Sequence, residues 1–167
     1  MTAMSGPNGP SDLLGLADAI PSMLDIEFFL HLQIPVTATL GVQIIAADAD
    51  GVRLRAPLEP NLNAHGTAFA GSIASLAILS GWIWLFLHLR RHALHYRPVV
   101  RRHSIEYLKP LSGPFDSVCT APERATAAMF RKDLIERKRA RIWLETAVFS
   151  STTDLAASAT GEYVVTA

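Results

Sequence analysis

Asn61, Asn63, His65, Thr67 and Ser72 fall within twelve residues, interleaved with Gly66, Gly71 and the small Ala64, Ala68 and Ala70. Directly behind them, Ala68 to Leu89 is a run of 22 residues without Asp, Glu, Lys or Arg. If that run is helical, the N–H groups of its first turn have no partner within the helix and lie at the positive end of its dipole. Backbone donors beside a side-chain amide can hold a developing oxyanion. The same residues have plainer uses. Asn61 and Asn63 suit a turn or an N-cap, and a hydroxyl such as Thr67 or Ser72 caps a first turn as readily as it holds substrate or water. His65 is either a general acid or a turn histidine with its ring in water. No Ser-His-Asp spacing supports a nucleophile.

Outside this stretch the chemistry is thinner. His88, His92 and His95 share a helical face at i, i+4 and i+7, but no Cys or carboxylate completes a ligand pattern, so a metal site is not expected. They mark where the apolar segment leaves the core. Cys119 is the single cysteine; it has no intramolecular partner and reads as a small core residue. Trp82, Trp84 and Phe86 read as core filling, any one of them also able to floor an apolar pocket. Arg131, Lys132, Arg137, Lys138, Arg139 and Arg141 place six cations in eleven residues, against Asp133 and Glu136.

The elements that must position these residues follow from pattern. With 167 residues, half of them apolar, and 15 basic against 15 acidic side chains, the chain supports one domain with a sizeable core and carries no global charge for nucleic acid or a membrane surface. Residues 1–12 are small, polar and Gly/Pro-punctuated, and 1–20 read as a flexible leader; 21–167 read as a single domain. Pro21 opens a short apolar helix that Pro35 stops, placed against the core as a lid or a partner contact. Val42–Ala47 and Val52–Leu58 form a hairpin about Asp50-Gly51. The apolar run meets the length of a membrane span, but Ser72, Ser75, Ser80 and His88 and the flanking strands argue for a helix wrapped by protein. Strands are expected at Pro98–Lys109 and Phe115–Ala121, a helix at Pro122–Arg137, and strands at Arg139–Ser150 and Leu155–Val165. With no basic and apolar leader and no disulfide, the cytoplasm is the expected compartment.

Two strands, one long buried helix and four more strands is the order of a hotdog fold, in which about six antiparallel strands curl around one apolar helix. Asn63-Ala-His-Gly-Thr-Ala-Phe-Ala-Gly-Ser72, followed by Leu76-Ala77 and Gly81-Trp82, resembles the YiiD C-terminal type of "putative thioesterase" family from about Leu24 to the C-terminus. The resemblance implies a homodimer joined sheet edge to sheet edge with sites at the interface; whether dimers pair further into a tetramer is left open by the sequence. It implies action on acyl groups carried by coenzyme A or acyl carrier protein, with no cofactor beyond the carrier's phosphopantetheine. Some members are malonyl-acyl carrier protein decarboxylases. By position, Asn63 falls on the family's catalytic Asn or Gln, and Ala70 and Gly71 on the pair whose N–H groups polarise the thioester carbonyl. Phe69 stands where hydrolases have His, and Ile78, nine residues on, where they carry Asp or Glu.

That departure bears on the reaction. Hydrolysis needs an activated water, and loss of the base removes roughly 10²–10⁴ in rate. Losing carbon dioxide from a malonyl thioester needs oxyanion stabilisation instead, and apolar Phe69 and Ile78 suit a poorly solvated carboxylate. Malonyl-thioester decarboxylation is therefore the expected activity, with acyl-thioester hydrolysis and non-catalytic acyl-thioester binding as alternatives. The basic cluster, centred on Arg137, Lys138 and Arg139 and extended by Arg101 and Arg102, reads either as a dock for coenzyme A phosphates or the carrier protein, or as a solvated helix face.

Overall fold

The computed structural model describes residues 22–166, so the expected leader and Pro21 lie outside the described residues. Helix α1 (Met23–Gln33) starts from Ser22, whose side chain accepts the Asp25 N–H while the Asp25 carboxylate takes the Ser22 N–H. This capping box supplies a start signal not anticipated in the sequence. Ile26, Phe29 and Leu30 are buried, and Glu27 accepts the backbone N–H of Ile44 at 2.9 Å, which ties the helix to the sheet edge beneath it. A four-residue helix α2 (Val36–Thr39) follows Pro35, and a 3-10 turn spans Glu59–Asn61; neither was expected from the sequence.

Strands β1 (Gln43–Ala47) and β2 (Gly51–Ala56) make the anticipated hairpin, in which Asp48 Oδ1 accepts the N–H groups of Asp50 and Gly51. Helix α3 (Ala70–Arg91) is followed by β3 (Pro98–Tyr107), β4 (Phe115–Thr120), helix α4 (Arg124–Arg137), β5 (Arg139–Ser150) and β6 (Leu155–Thr166). The six strands form one antiparallel sheet in the order β1-β2-β4-β5-β6-β3. Period-two alternation sends Val52, Leu54, Phe115, Cys119, Ile142, Leu144, Val148 and Tyr163 to one face, where all are buried. α3 lies against that face, and 67% of its most apolar window is covered by protein. One curled antiparallel sheet around one long apolar helix is the hotdog architecture.

Two close approaches fix α3 on the sheet. A Cβ at Gly81 would stand 2.9 Å from the Tyr163 ring, so only glycine lets that ring in. The Tyr163 hydroxyl then donates to the Ile78 carbonyl at 2.8 Å. Next to it, Ser80 and Ser117 share a buried hydrogen bond of 2.8 Å. On the outer sheet face burial pushes the Asp116 carboxyl up, and the guanidiniums of Arg55 and Arg53, bonded to it through Nε at 2.7 and 2.8 Å, more than reverse the shift.

Candidate active site

The stretch from Asn61 to Gly71 is built as a closed loop feeding α3. Asn63 N–H donates to the Thr67 carbonyl at 2.8 Å, and its carbonyl accepts Gly66 N–H at 3.2 Å. Its side chain then fastens the loop from inside. Oδ1 accepts the N–H groups of His65 at 2.8 Å and Thr67 at 3.2 Å, while Nδ2 donates to Thr67 Oγ1 at 2.9 Å and the Ala68 carbonyl at 3.3 Å. Gly66 sits at φ +75°, the left-handed conformation that closes the turn and that glycine adopts without strain. Both amide protons of Asn63 are thus committed within the loop, which makes Asn63 the residue that shapes the helix mouth.

Asn61 and His65 take positions that match the turn reading weighed for each of them. Asn61 is 1% exposed, and Nδ2 donates to the carbonyls of Pro57 and Leu40 at 2.7 and 2.9 Å, so its side chain clamps the loop to the segment after α2. Its carbonyl accepts the Phe69 N–H at 2.6 Å. His65 is exposed on the loop surface and is not among the residues that bound the cavity described below. The Ala68 N–H is taken by the Leu111 carbonyl at 2.8 Å. These two bonds hold Ala68 and Phe69 extended, which is why α3 begins at Ala70, two residues later than hydropathy alone placed it.

At that first turn the N–H groups of Ser72 and Ile73 fold back to the Phe69 carbonyl. Those of Ala70 and Gly71 have no protein acceptor among the described residues. The Phe69 ring lies against Gly71, with its Cδ1 3.0 Å from where a Cβ would be, and is half exposed. Ser72 is buried, and Thr67 is occupied as acceptor for Asn63. Ile78 lies two turns further along the same helix, half buried, its carbonyl taken by Tyr163.

Beside the mouth is a cavity of about 270 Å³ bounded by Asn63, Ala68, Ala70, Ile73, Tyr107, Leu108, Lys109, Pro110 and Leu111. No carboxylate is among these residues. Tyr107 donates its hydroxyl to the Ala70 carbonyl at 2.9 Å, and burial pushes its phenol up, so it stays protonated. Lys109 brings a cation that is shared with Asp154 at 3.3 Å across a neighbouring, hydroxyl-rich groove of about 310 Å³. Tyr107, Lys109 and Leu111 were not singled out in the sequence. They arrive from β3 and the turn after it, about forty residues downstream, and strand alternation there gave no hint that its end meets the helix mouth.

The other candidates sit at the far end of α3. His88 is buried, stacked on Trp84 at 4.8 Å, and faces Arg131 Nη1 through Nε2 at 3.1 Å. Burial, with His92, Arg131 and Arg91 adding to it, lowers its pKa to about 4, so His88 is neutral and Nε2 accepts. Arg131 therefore leaves the surface cluster to pin α4 onto α3. Of the remainder, Arg137 pairs with Asp133 at 3.5 Å and Arg141 with Glu162 at 3.5 Å, while Lys138 caps α4 in the left-handed conformation. His88 is eighteen residues beyond Ala70, roughly 27 Å along the axis, so the basic cluster and the helix mouth of one chain stand at opposite ends. Cys119 is buried, which pushes its thiol up to about 12. Among the described residues no three His, Cys, Asp or Glu side chains converge as metal ligands.

A family model described as "Putative thioesterase (yiiD_Cterm)" matches residues 24–167. Among solved structures, a protein of unknown function from Chlorobaculum tepidum TLS is 26% identical, with a TM-score of 0.81 over 87% of this chain and 96% of that one. A "putative thioesterase" from Shewanella oneidensis is 25% identical, with a TM-score of 0.77 over 87% and 97%. A "probable thioesterase" from Pseudomonas aeruginosa, at 20% identity and a TM-score of 0.70 over 87% and 97%, shares the fold.

Proposed function

The chain belongs to the YiiD C-terminal "putative thioesterase" family, and from that premise we propose that it processes acyl thioesters at the mouth of α3, by decarboxylating a malonyl thioester. The observation that carries this reading is the pair of uncommitted N–H groups at Ala70 and Gly71, opening beside a cavity that no carboxylate lines. In the reaction the bond between the α-carbon and the carboxylate breaks, carbon dioxide leaves, and the electron pair spreads onto the thioester oxygen. Two N–H donors at the positive end of a 22-residue helix stabilise that oxyanion. The enolate then takes a proton from solvent at carbon to give the acetyl thioester. Asn63 acts by holding the loop that aims these donors, and the buried apolar side chains of Ile73 and Leu111 leave the departing carboxylate poorly solvated on their side of the cavity.

The carrier is coenzyme A or acyl carrier protein, whose phosphopantetheine arm supplies the thiol. A homodimer fits the sheet: β3 pairs with β6 on one side only, leaving a ten-residue edge open. Antiparallel pairing of two such edges would set the α4 end of one copy beside the helix mouth of the other, which is where Arg137, Lys138 and Arg139 could meet an incoming carrier. Hydrolysis is the second reading, favoured by the description of the Shewanella oneidensis relative. Malonyl-acyl carrier protein and malonyl-coenzyme A incubated with the protein and weighed by mass spectrometry separate the two. An acetyl thioester is the expected product; free carrier thiol with malonate would replace decarboxylation by hydrolysis.

A further inference from the structure

The outer face of the sheet, opposite α3, is polarised along its strands. On β5 the exposed Arg139, Arg141, Trp143 and Glu145 alternate with the buried Ala140, Ile142 and Leu144. Across the sheet, Trp143 stands beside Glu162 of β6 and Glu162 beside Arg102 of β3; Arg141 stands in the same way beside Val164 and Val99. The register of β3 shifts between Val100 and Arg102, and Arg101 reaches Glu162 as well. Glu162 is 2% exposed and accepts Nη1 of Arg101 at 3.2 Å and Nη1 of Arg141 at 3.5 Å. A guanidinium has five N–H groups, so one shared carboxylate fixes these two arginines on the strands and leaves most of their donors unused. Both stay more than half exposed. Arg102 and Arg139 make no hydrogen bond or ion pair among the described residues, and neither does the indole N–H of Trp143. Trp143 and Val99, 50% and 60% exposed, are the apolar side chains of this patch.

Four guanidiniums thus surround one exposed indole, with the buried Glu162 between them. Trp and Arg are the side chains that most often anchor a protein interface, and guanidiniums recognise carboxylates through paired hydrogen bonds. The patch covers roughly 14 Å along β5 from Arg139 to Trp143 and roughly 10 Å across from β5 to β3. Carboxylates at i, i+4 and i+7 of a helix spread over about 6 to 11 Å, which matches that span. A longer polyanion such as a nucleic acid fits poorly, because the next two rows along the strands bring Glu145 and then Glu106. We propose that this face docks an acidic helix of the carrier protein, with Trp143 as the anchor and Arg101, Arg102, Arg139 and Arg141 around it. On the acyl-thioester reading, on which this rests, the carrier is then a protein rather than coenzyme A, and Arg139 joins the sheet face to Arg137 and Lys138 at the end of α4.

Isothermal titration of the full chain with an acyl carrier protein lacking its phosphopantetheine arm, and in parallel with coenzyme A, tests the docking. The armless carrier is expected to bind at one site per chain, and more weakly as salt rises. Trp143→Ala should weaken it about tenfold or more, and Arg102→Glu by a similar factor, while neither changes any binding of coenzyme A. Both side chains are exposed and make no internal bond, so neither change threatens the fold, which an unchanged Tm verifies. No saturable binding of the carrier below about 1 mM overturns the docking, and so does binding that both substitutions leave unchanged. Coenzyme A weakened as much as the carrier would make the face a phosphate site and overturn it too. Without its arm the carrier reads this face alone. Its failure to bind therefore leaves the product assay at the helix mouth untouched, and binding without thioester turnover keeps the docking face and removes only the reaction.

Discussion

Replacing Asn63 by Ala tests whether this amide shapes the site or takes part in the chemistry. In the folded chain its side chain donates two hydrogen bonds and accepts two, all within the loop from His65 to Ala68. Each is worth about 1 kcal/mol net when well formed, and the loop is partly exposed, so the total loss is about 2 kcal/mol rather than four. In a domain of this size that corresponds to a fall in Tm of roughly 4–8 °C. A loosened loop also lets Ala70 and Gly71 drift, so kcat should fall about tenfold; removing one true oxyanion donor typically costs 10²–10³. Asn63→Asp sharpens the distinction, since it keeps the two acceptor bonds but sets a carboxylate against the Ala68 carbonyl. It should therefore lose stability too. Thermal denaturation and kcat/KM on the same preparations decide. A Tm within a degree of the parent combined with a loss of 10² or more in kcat would refute the shaping role and make the Asn63 amide a direct donor to substrate.

Acidification tests His88. Its pKa lies at about 4 in the fold against 6.5 when free, so between those values the unfolded chain binds a proton that the folded chain refuses. Stability is then complete above about pH 6.5 and falls as the pH drops toward 4, by at most about 1.4 kcal/mol per pH unit from this group. His88→Gln, which still offers Arg131 an acceptor, should flatten the fall in Tm between those limits; parallel curves would contradict this. Gly81→Ala drives a methyl into the Tyr163 ring and should cost roughly 1–3 kcal/mol in urea denaturation. Tyr163→Phe removes the colliding hydroxyl, so the double variant should cost less than the sum of the singles, and strict additivity would mean that the two do not touch. Reversing Arg137 and Arg139 to Glu should raise KM several-fold for a carrier-protein substrate and leave a small-molecule thioester unaffected. An equal KM for the carrier protein removes the docking role.

Much of the fold was legible because α3 and the strands carry strong, different periods. The hairpin about Asp50-Gly51, the strands from Phe115 and Arg139, and the end of α4 fall within a residue or two of their expected places. What escaped was set by partners distant in sequence. Nothing in the order of residues tells that Leu111 and Asn61 hold Ala68 and Phe69 extended, nor that Asn61 turns its amide to Pro57 and Leu40 rather than to the cavity. Asn61 and Asn63 are the same residue type two positions apart, and only the packing of the segment after α2 separates a buried clamp from a loop organiser. Likewise the cluster from Arg131 to Arg141 looks uniform as a string, but Arg131 is drawn inward by a buried neutral histidine on another helix.

The division of labour at the helix mouth carries a consequence for the chemistry. Because Asn63 spends both amide protons on the loop, the donors left for substrate in the proposed reaction are backbone N–H groups, which among substitutions only proline deletes. Their aim is set by three constraints from separate parts of the chain: Asn61 on Phe69, Leu111 on Ala68, and Tyr107 on the Ala70 carbonyl. Tyr107→Phe removes only the last of these, and since that carbonyl belongs to the peptide carrying the Gly71 N–H, the change should tilt that donor without opening the cavity. The expected signature is a kcat lowered several-fold with KM nearly unchanged, because a donor aimed at the oxyanion matters more in the transition state than in the bound substrate. A rise in KM at constant kcat would show instead that Tyr107 contributes uniform binding at the cavity wall.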